Sequence, residues 1–201
     1  MKKHKLITLS GLAGTGKSTI AKAIKKILDS TGNYSTVQIY SLASELKDIA
    51  RRLGWDGTKV TDKGPYQGRP LLQLLGDIGR SQHPDFWVAN LTDRMVLDLN
   101  GCPSKPLVIG LSRPHVDIED PYPCVFIVDD VRFPNEYEAF ADVVQFDHRH
   151  INLIRRGVSI DITHPSEEHQ SYFINHSFNY ALREGEPEDD ALHLCKVMQC
   201  L

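Results

Sequence analysis

The chain has 201 residues, 41% of them hydrophobic and 24% charged, with 23 Lys and Arg against 26 Asp and Glu and a formal net charge of -3. That length suits one large domain or two small ones and buries a substantial core, and no run approaches the roughly 18 apolar residues of a membrane-spanning helix. A pI near 6.3 gives no general pull toward nucleic acid or anionic lipid, so any anion site has to be local. The basic residues 1–5 lead into an apolar run that stops at Ser10 and Gly11 without a small-residue cleavage site, so no secretory leader is expected. Cys102, Cys124, Cys195 and Cys200 show no CxxC spacing and read as reduced, partly buried thiols of a cytoplasmic protein. His148 and His150 stand two apart, without the HxxxH or HExxH spacing of a zinc site.

In chain order, residues 5–10 form a short apolar, partly β-branched strand ended by Gly11. After a glycine-rich segment, Ile20, Ala23, Ile24, Ile27 and Leu28 recur at helical spacing, with Lys22, Lys25 and Lys26 off that stripe as a solvated face and Gly32 as the stop. Residues 37–40 read as a second strand, followed by a helix carrying Leu42, Leu46, Ile49, Ala50 and Leu53. Residues 55–68 form a long polar loop, of the kind that serves as a lid or lacks fixed structure. Helices are then expected from near Arg69, with Pro70 in its first turn, and from Pro84 and Asp85 toward Leu99. Residues 100–123 are broken by five prolines, with residues 106–109 a candidate edge strand. Residues 124–128 are continuously apolar, as in a central parallel strand buried on both faces, and end at Asp129 and Asp130. A helix is expected from Pro134 to about Phe146, a strand over 151–155, a helix start at Pro165 and Ser166, a short strand near Phe173 and a last helix from about Asp189. Alternating strands and helices predict a three-layer α/β fold with a mostly parallel sheet, read as one domain over 1–201.

The segment from Gly11 to Ser18 fits GxxxxGK[ST] between a strand and a helix. Glycines allow successive backbone N–H groups to turn inward around a polyphosphate, and the following helix adds its positive dipole end. Gly11, Ala13, Gly14, Thr15, Gly16, Lys17, Ser18 and Thr19 are therefore the expected ATP-binding residues, with Lys17 on the β- and γ-phosphates and the Ser18 hydroxyl on Mg²⁺. One of Asp129 and Asp130 is expected to serve that metal, directly or through water, and the other to cap the turn. No NKxD guanine-reading motif is present. On a continuous third helix, Arg69 and Arg80 lie three turns apart on one face with Gln73, Gly76 and Asp77. Gly76 and Gly79 each cost roughly 1 kcal/mol there. Such a stripe reads either as a groove where a ligand approaches the backbone or as a solvated face with a charge at each end.

At this point the chain resembles the bacteriophage deoxynucleoside monophosphate kinases, members of the nucleoside monophosphate kinase-like P-loop group. The resemblance rests on four blocks in order: Gly11-Leu-Ala-Gly-Thr-Gly-Lys-Ser18; Leu53-Gly-Trp-Asp56 with Arg69-Pro-Leu-Leu-Gln-Leu-Leu-Gly76, Arg80 and Phe86-Trp87; Asp130-Val-Arg-Phe-Pro-Asn-Glu136; and His164-Pro-Ser-Glu167 with Ile174-Asn175. It implies that Asp130 is the acidic position with Arg132 reaching phosphate, and that Arg69, Gln73, Gly76, Arg80 and Trp87 line an acceptor site within about 42–99. It further implies that Arg155 and Arg156 are mobile arginines of a lid-like region over about 155–170, and that Asn175 lies by the nucleotide base. Glu167 joins the substrate residues, although Ser166 and Glu167 also suit plain capping of a helix start.

The implied reaction is ATP-dependent phosphorylation of a deoxynucleoside 5′-monophosphate for DNA synthesis, with Mg²⁺ as cofactor. Its implied partners are these small molecules, with no nucleic acid and no membrane, and a homodimer is left open. Two other kinase readings compete: one acting on another phosphorylated metabolite, as phosphomevalonate kinases do, and one acting on a polynucleotide. The absence of Lys/Arg clusters argues against the second.

Overall fold

The computed structural model describes residues 4–57, 68–99, 123–143, 146–158 and 169–201. The chain divides into two compact units, one of Met1–Tyr40 with Asp117–Leu201 and one of Ser41–Val116.

The first unit is built on a sheet of five parallel strands: β1 (His4–Ser10), β2 (Thr36–Tyr40), β3 (Cys124–Val128), β4 (Phe146–Ile154) and β5 (Phe178–Ala181), in the order β2-β3-β1-β4-β5. β1 is central, and the chain winds outward from it on both sides. Its odd residues Ile7 and Leu9 face the apolar stripe of α1 (Lys17–Thr31), where Ile20, Ala21, Ile24 and Leu28 are buried. A later helix contributes Ala191, Leu194 and Cys195 to the same core. That helix, Pro187–Val197, is α7, while α5 (Pro134–Ala141) and α6 (Gln170–His176) cover the opposite face. Helices on both faces explain why β3 is apolar throughout and buried at all five positions. Cys124, Cys195 and Cys200 are buried free thiols, and burial pushes the Cys195 thiol up to about 12. Cys102 lies outside the described residues.

On the other face of β1, Leu6 is buried and Thr8 and Ser10 carry a buried polar layer. Thr8 Oγ1 lies 2.8 Å from His148 Nε2 and 2.6 Å from His150 Nδ1, and His150 Nε2 lies 2.9 Å from Ser10 Oγ. Ser10 donates to Asn152 Oδ1 at 3.0 Å, Gln170 donates to the same oxygen at 2.8 Å, and Asn152 donates to Asn179 Oδ1 at 2.8 Å. Because the Ser10 proton is committed to Asn152, Ser10 must accept from His150 Nε2, and Thr8 must donate to His150 Nδ1 while accepting from His148 Nε2. All donors point one way, and both rings are neutral.

Three expectations change here. The helix opened by Pro134 stops at Ala141, and β4 begins at Phe146 rather than 151, because its first half puts His148 and His150, not apolar residues, on the inward face. Phe173 is helical, and the short strand follows at Phe178–Ala181. Residues 106–109 and the helix start at Pro165 lie outside the described residues.

The second unit holds α2 (Leu42–Arg52), α3 (Gly68–Gln82) and α4 (Phe86–Leu99), close to their predicted bounds. Ala50, Trp55 and Leu71 form a small core, and Arg94 pairs with Glu45 between α4 and α2.

Burial lowers His148 to about 4, Asp147 and Arg149 acting in opposite directions, and burial with the neighbouring His148 lowers His150 to about 3. Both rings are charged in the unfolded chain below its pKa of about 6.5, so stability is full above that value and falls as pH drops toward 4 and 3. Unfolding at pH 5 should take up about two protons at this pair. Denaturant titrations across pH should show about one proton fewer for His148→Gln, whose amide still donates to Thr8; an unchanged proton uptake contradicts the account.

Candidate functional site

The glycine loop leaves the carboxyl end of β1. Gly11 has φ +136°, and a Cβ there would stand 2.5 Å from the Leu153 carbonyl oxygen at the end of β4, so only glycine fits. Gly16, at φ +98°, opens α1, and its carbonyl accepts from Thr19 and Ile20, both at 3.0 Å. Amides earlier in that turn have no helical acceptor by geometry. Thr15 is buried and closes the loop, its N–H and hydroxyl donating to the Leu12 carbonyl at 3.3 and 2.9 Å. Ala13 and Gly14 are exposed at the tip, and Ser18 and Thr19 on the first turn of α1. Lys17 Nζ donates to the carbonyls of Gly11 and Leu12 at 2.7 and 2.8 Å, which folds the ammonium over the loop. An incoming polyphosphate has only to exchange those neutral acceptors for charged ones.

All five strands are parallel, so the segments after β1, β3, β4 and β5 leave the same edge of the sheet. After β3 come Asp129 and Asp130, both half-buried, and the exposed Arg132. The turn that carries Arg132 is held by Glu136, 6% exposed, whose carboxylate accepts from the N–H groups of Arg132 at 2.7 Å and Phe133 at 3.1 Å. Sequence reasoning missed this role for Glu136, whose signal is an acidic residue at the third position of a helix opened by proline. Arg155 and Arg156 are exposed immediately after β4, two residues past the Leu153 carbonyl that meets Gly11. Asn175 is exposed in the last turn of α6, where Asn179 donates to the carbonyls of Ile174 at 2.7 Å and Ser177 at 3.3 Å.

Past β5 the structure supplies residues that sequence reasoning missed. Leu182 donates from its N–H to the Ile154 carbonyl at 2.8 Å, and its Cδ1 lies 3.9 Å from where a Cβ on Gly16 would stand. Arg183 follows, tied to Asp190 of α7. Burial raises the Asp190 carboxyl, but its bonds from Arg183 and Tyr180 overcome that and hold it below the ordinary carboxylate value. Nothing in the local sequence marks this pairing.

In the second unit, Gln73 is half-buried on α3, and the Arg80 guanidinium pairs with Asp77 at 2.8 Å and folds over Gly76. Trp87 is buried, its indole N–H donating to the Gly76 carbonyl at 3.1 Å. A Cβ on Gly79 would meet the indole ring at 2.6 Å. An indole therefore fills the gap at Gly79 for which a ligand was one explanation, and Trp87 has a packing role. The side chain of Arg69, the whole of Glu167 and most of the lid-like region lie outside the described residues.

No family model and no curated protein matches the sequence. Among solved structures, the chain is similar to a provisionally assigned kinase from Chloroflexus aurantiacus j-10-fl, with a TM-score of 0.52 and 11% identity over 100% of this chain and 98% of that one. A gluconokinase from Sinorhizobium meliloti 1021 aligns with a TM-score of 0.45 and 14% identity over 100% and 97%. The first likeness shows a shared α/β fold, here an all-parallel five-stranded sheet with the glycine loop at the end of its central strand.

The two helix glycines separate in a stability test. Gly79→Ala drives a methyl into the indole and should cost about 1–3 kcal/mol. Gly76→Ala displaces only the mobile end of Arg80 and recovers helix propensity, so its melting temperature should stay close to the parent's. Equal losses in thermal melts would refute the packing explanation.

Proposed function

We propose that the chain is an ATP-dependent phosphotransferase whose acceptor is a deoxynucleoside 5′-monophosphate. The glycine loop carries the first half of this reading: a backbone that only glycine at position 11 permits, an ammonium folded over it, and a helix N-terminus behind it. The second half, the acceptor, rests on the resemblance of the Arg69 to Trp87 and Asp130 to Glu136 blocks. The free, buried thiols suit a reducing, cytoplasmic setting. No helix among the described residues is long and apolar enough to cross a membrane.

Phosphoryl transfer needs alignment and charge neutralisation more than covalent help. In this reading the loop amides hold the β-phosphate, and Lys17 exchanges its carbonyl partners for β- and γ-oxygens. An oxygen of the acceptor phosphate forms a bond to the γ-phosphorus, the bond from that phosphorus to the β–γ bridging oxygen breaks, and the electron pair leaves with ADP. Arg132, held by the Glu136 turn, and Arg155 or Arg156 face the transferring group and offset its charge. No general base is required, because the acceptor phosphate is already largely ionised at pH 7.

The Ser18 hydroxyl and the Asp130 carboxylate are hard oxygen donors on neighbouring segments of one sheet edge, a set that fits Mg²⁺. Ser18 and Asp130 would hold the metal there, and it would supply neutralisation of the phosphate charge.

A coupled ADP assay across all deoxy- and ribonucleoside monophosphates tests the reading. At least one of dTMP, dGMP or dCMP should be turned over, and Lys17→Ala should lower kcat about 100-fold or more. Turnover of none of them removes the acceptor assignment, and near-full activity of Lys17→Ala removes the loop from the chemistry.

A further inference from the structure

The Asp190 carboxylate is fully buried, although it sits on α7 and not in the glycine loop or in any segment the resemblance covers. It accepts three hydrogen bonds: from the Arg183 N–H at 2.9 Å, from Arg183 Nε at 2.8 Å, and from the Tyr180 hydroxyl at 3.0 Å. Burying a carboxylate costs several kcal/mol unless its donors are complete. Here all three come from the strand and turn that pass the glycine loop. Between Tyr180 and Arg183, Leu182 sets its Cδ1 beside Gly16. Arg183 also pairs with Glu186 at 3.1 Å, so its half-exposed guanidinium is held at two of its nitrogens.

The sheet order says which end of a nucleotide this turn meets. β1 has β3 on one side, bearing Asp129 and Asp130, and β4 and then β5 on the other. In the reading of the glycine loop as the ATP site, the acidic side is that of the β- and γ-phosphates, where Asp130 would help to hold a divalent cation that offsets their charge. In that reading the ribose and base leave on the side of β4 and β5, over Leu182 and Arg183.

We propose that Asp190 is a positioning residue for the nucleoside half of the bound nucleotide, holding Leu182 and Arg183 as a preformed wall beside Gly16. This rests on the reading of the glycine loop as the ATP site. Leu182 offers the apolar surface, and the fixed guanidinium plane of Arg183 offers a face on which a base stacks. Holding the wall in place beforehand removes the entropy of ordering it from the cost of binding.

The test compares ATP with inorganic tripolyphosphate, which occupies the glycine loop but has no base or ribose, by titration calorimetry with Mg²⁺ on the full chain. Asp190→Asn turns an amide N–H₂ toward one of the Arg183 donors. It should weaken ATP binding about tenfold and leave tripolyphosphate binding unchanged. Partial unfolding lowers both apparent affinities by the same factor, so the ratio of the two constants reads positioning alone. Equal weakening of both ligands, or no change in either, overturns the proposal. So does a wild-type chain that binds tripolyphosphate as tightly as ATP. Failure of the wild type to bind either ligand instead overturns the nucleotide reading itself. Should Asp190→Asn not fold, Arg183→Gln, which removes the Nε donor from a half-exposed side chain, should shift the ratio in the same direction, and an unshifted ratio there overturns the proposal.

Discussion

The contact on which the site depends is the approach of residue 11 to the carbonyl of Leu153. The backbone leaving β1 passes so close to the end of β4 that a single added carbon would overlap an oxygen at 2.5 Å. Without that approach the chain could not turn back over its own strand and start a helix six residues later. The loop would then lack both its inward amides and the helix dipole behind them. Lys17 reinforces the geometry by bridging the carbonyls of Gly11 and Leu12. The charge that would meet a phosphate is thus stored on the loop's own neutral acceptors, and little has to move when an anion arrives.

Beneath that loop, Thr8 and Ser10 on one face of β1 meet β4 through hydroxyls, imidazoles and an amide. A polar layer of this kind is tolerable only when complete, since each unsatisfied buried donor costs on the order of 1–3 kcal/mol. The layer from His148 to Asn179 is complete and has one direction. It joins β1, β4, β5 and α6 by bonds that specify register, because slipping β4 by a single residue would turn both imidazoles to the other face. The same requirement keeps both histidines neutral. Apolar packing of α1 and α7 on the opposite face supplies the bulk of the burial. The sheet is therefore held by hydrophobic area on one side, and on the other by hydrogen-bond geometry together with the buried Leu6, Phe126, Phe140 and Phe173.

Much of the architecture is legible in the sequence. The stripe of α1, the second and third strands and the bounds of α2, α3 and α4 all follow from apolar spacing and from glycine and proline punctuation. β4 was harder, because its inward positions include His148, His150 and Asn152. Apolar periodicity sees only its second half, through Ile151 and Leu153. Phe173 misled for the opposite reason. It is a buried aromatic in a two-turn helix, packed 5.3 Å from the His150 ring, and a segment of seven residues is too short for period 3.6 to separate from period 2. Gly79 showed in the sequence only as a helix glycine that needed a reason. That the reason is the Trp87 indole, eight residues on, emerges from the packing of α3 and α4.

What the sequence determined alone is the presence of the glycine loop, since the residues that mark it, Gly11 to Ser18, are contiguous and need no distant partner to be recognised. Local chemistry of that kind survives translation into a motif. Tertiary structure alone decided which segments stand beside the loop: Leu153 against Gly11, Leu182 against Gly16, and Asp190 as the acceptor shared by Tyr180 and Arg183. Those neighbours depend on strand order and on a buried charge finding its donors. A buried carboxylate looks the same in a sequence as one on the surface, because what separates them is the water that the fold removes.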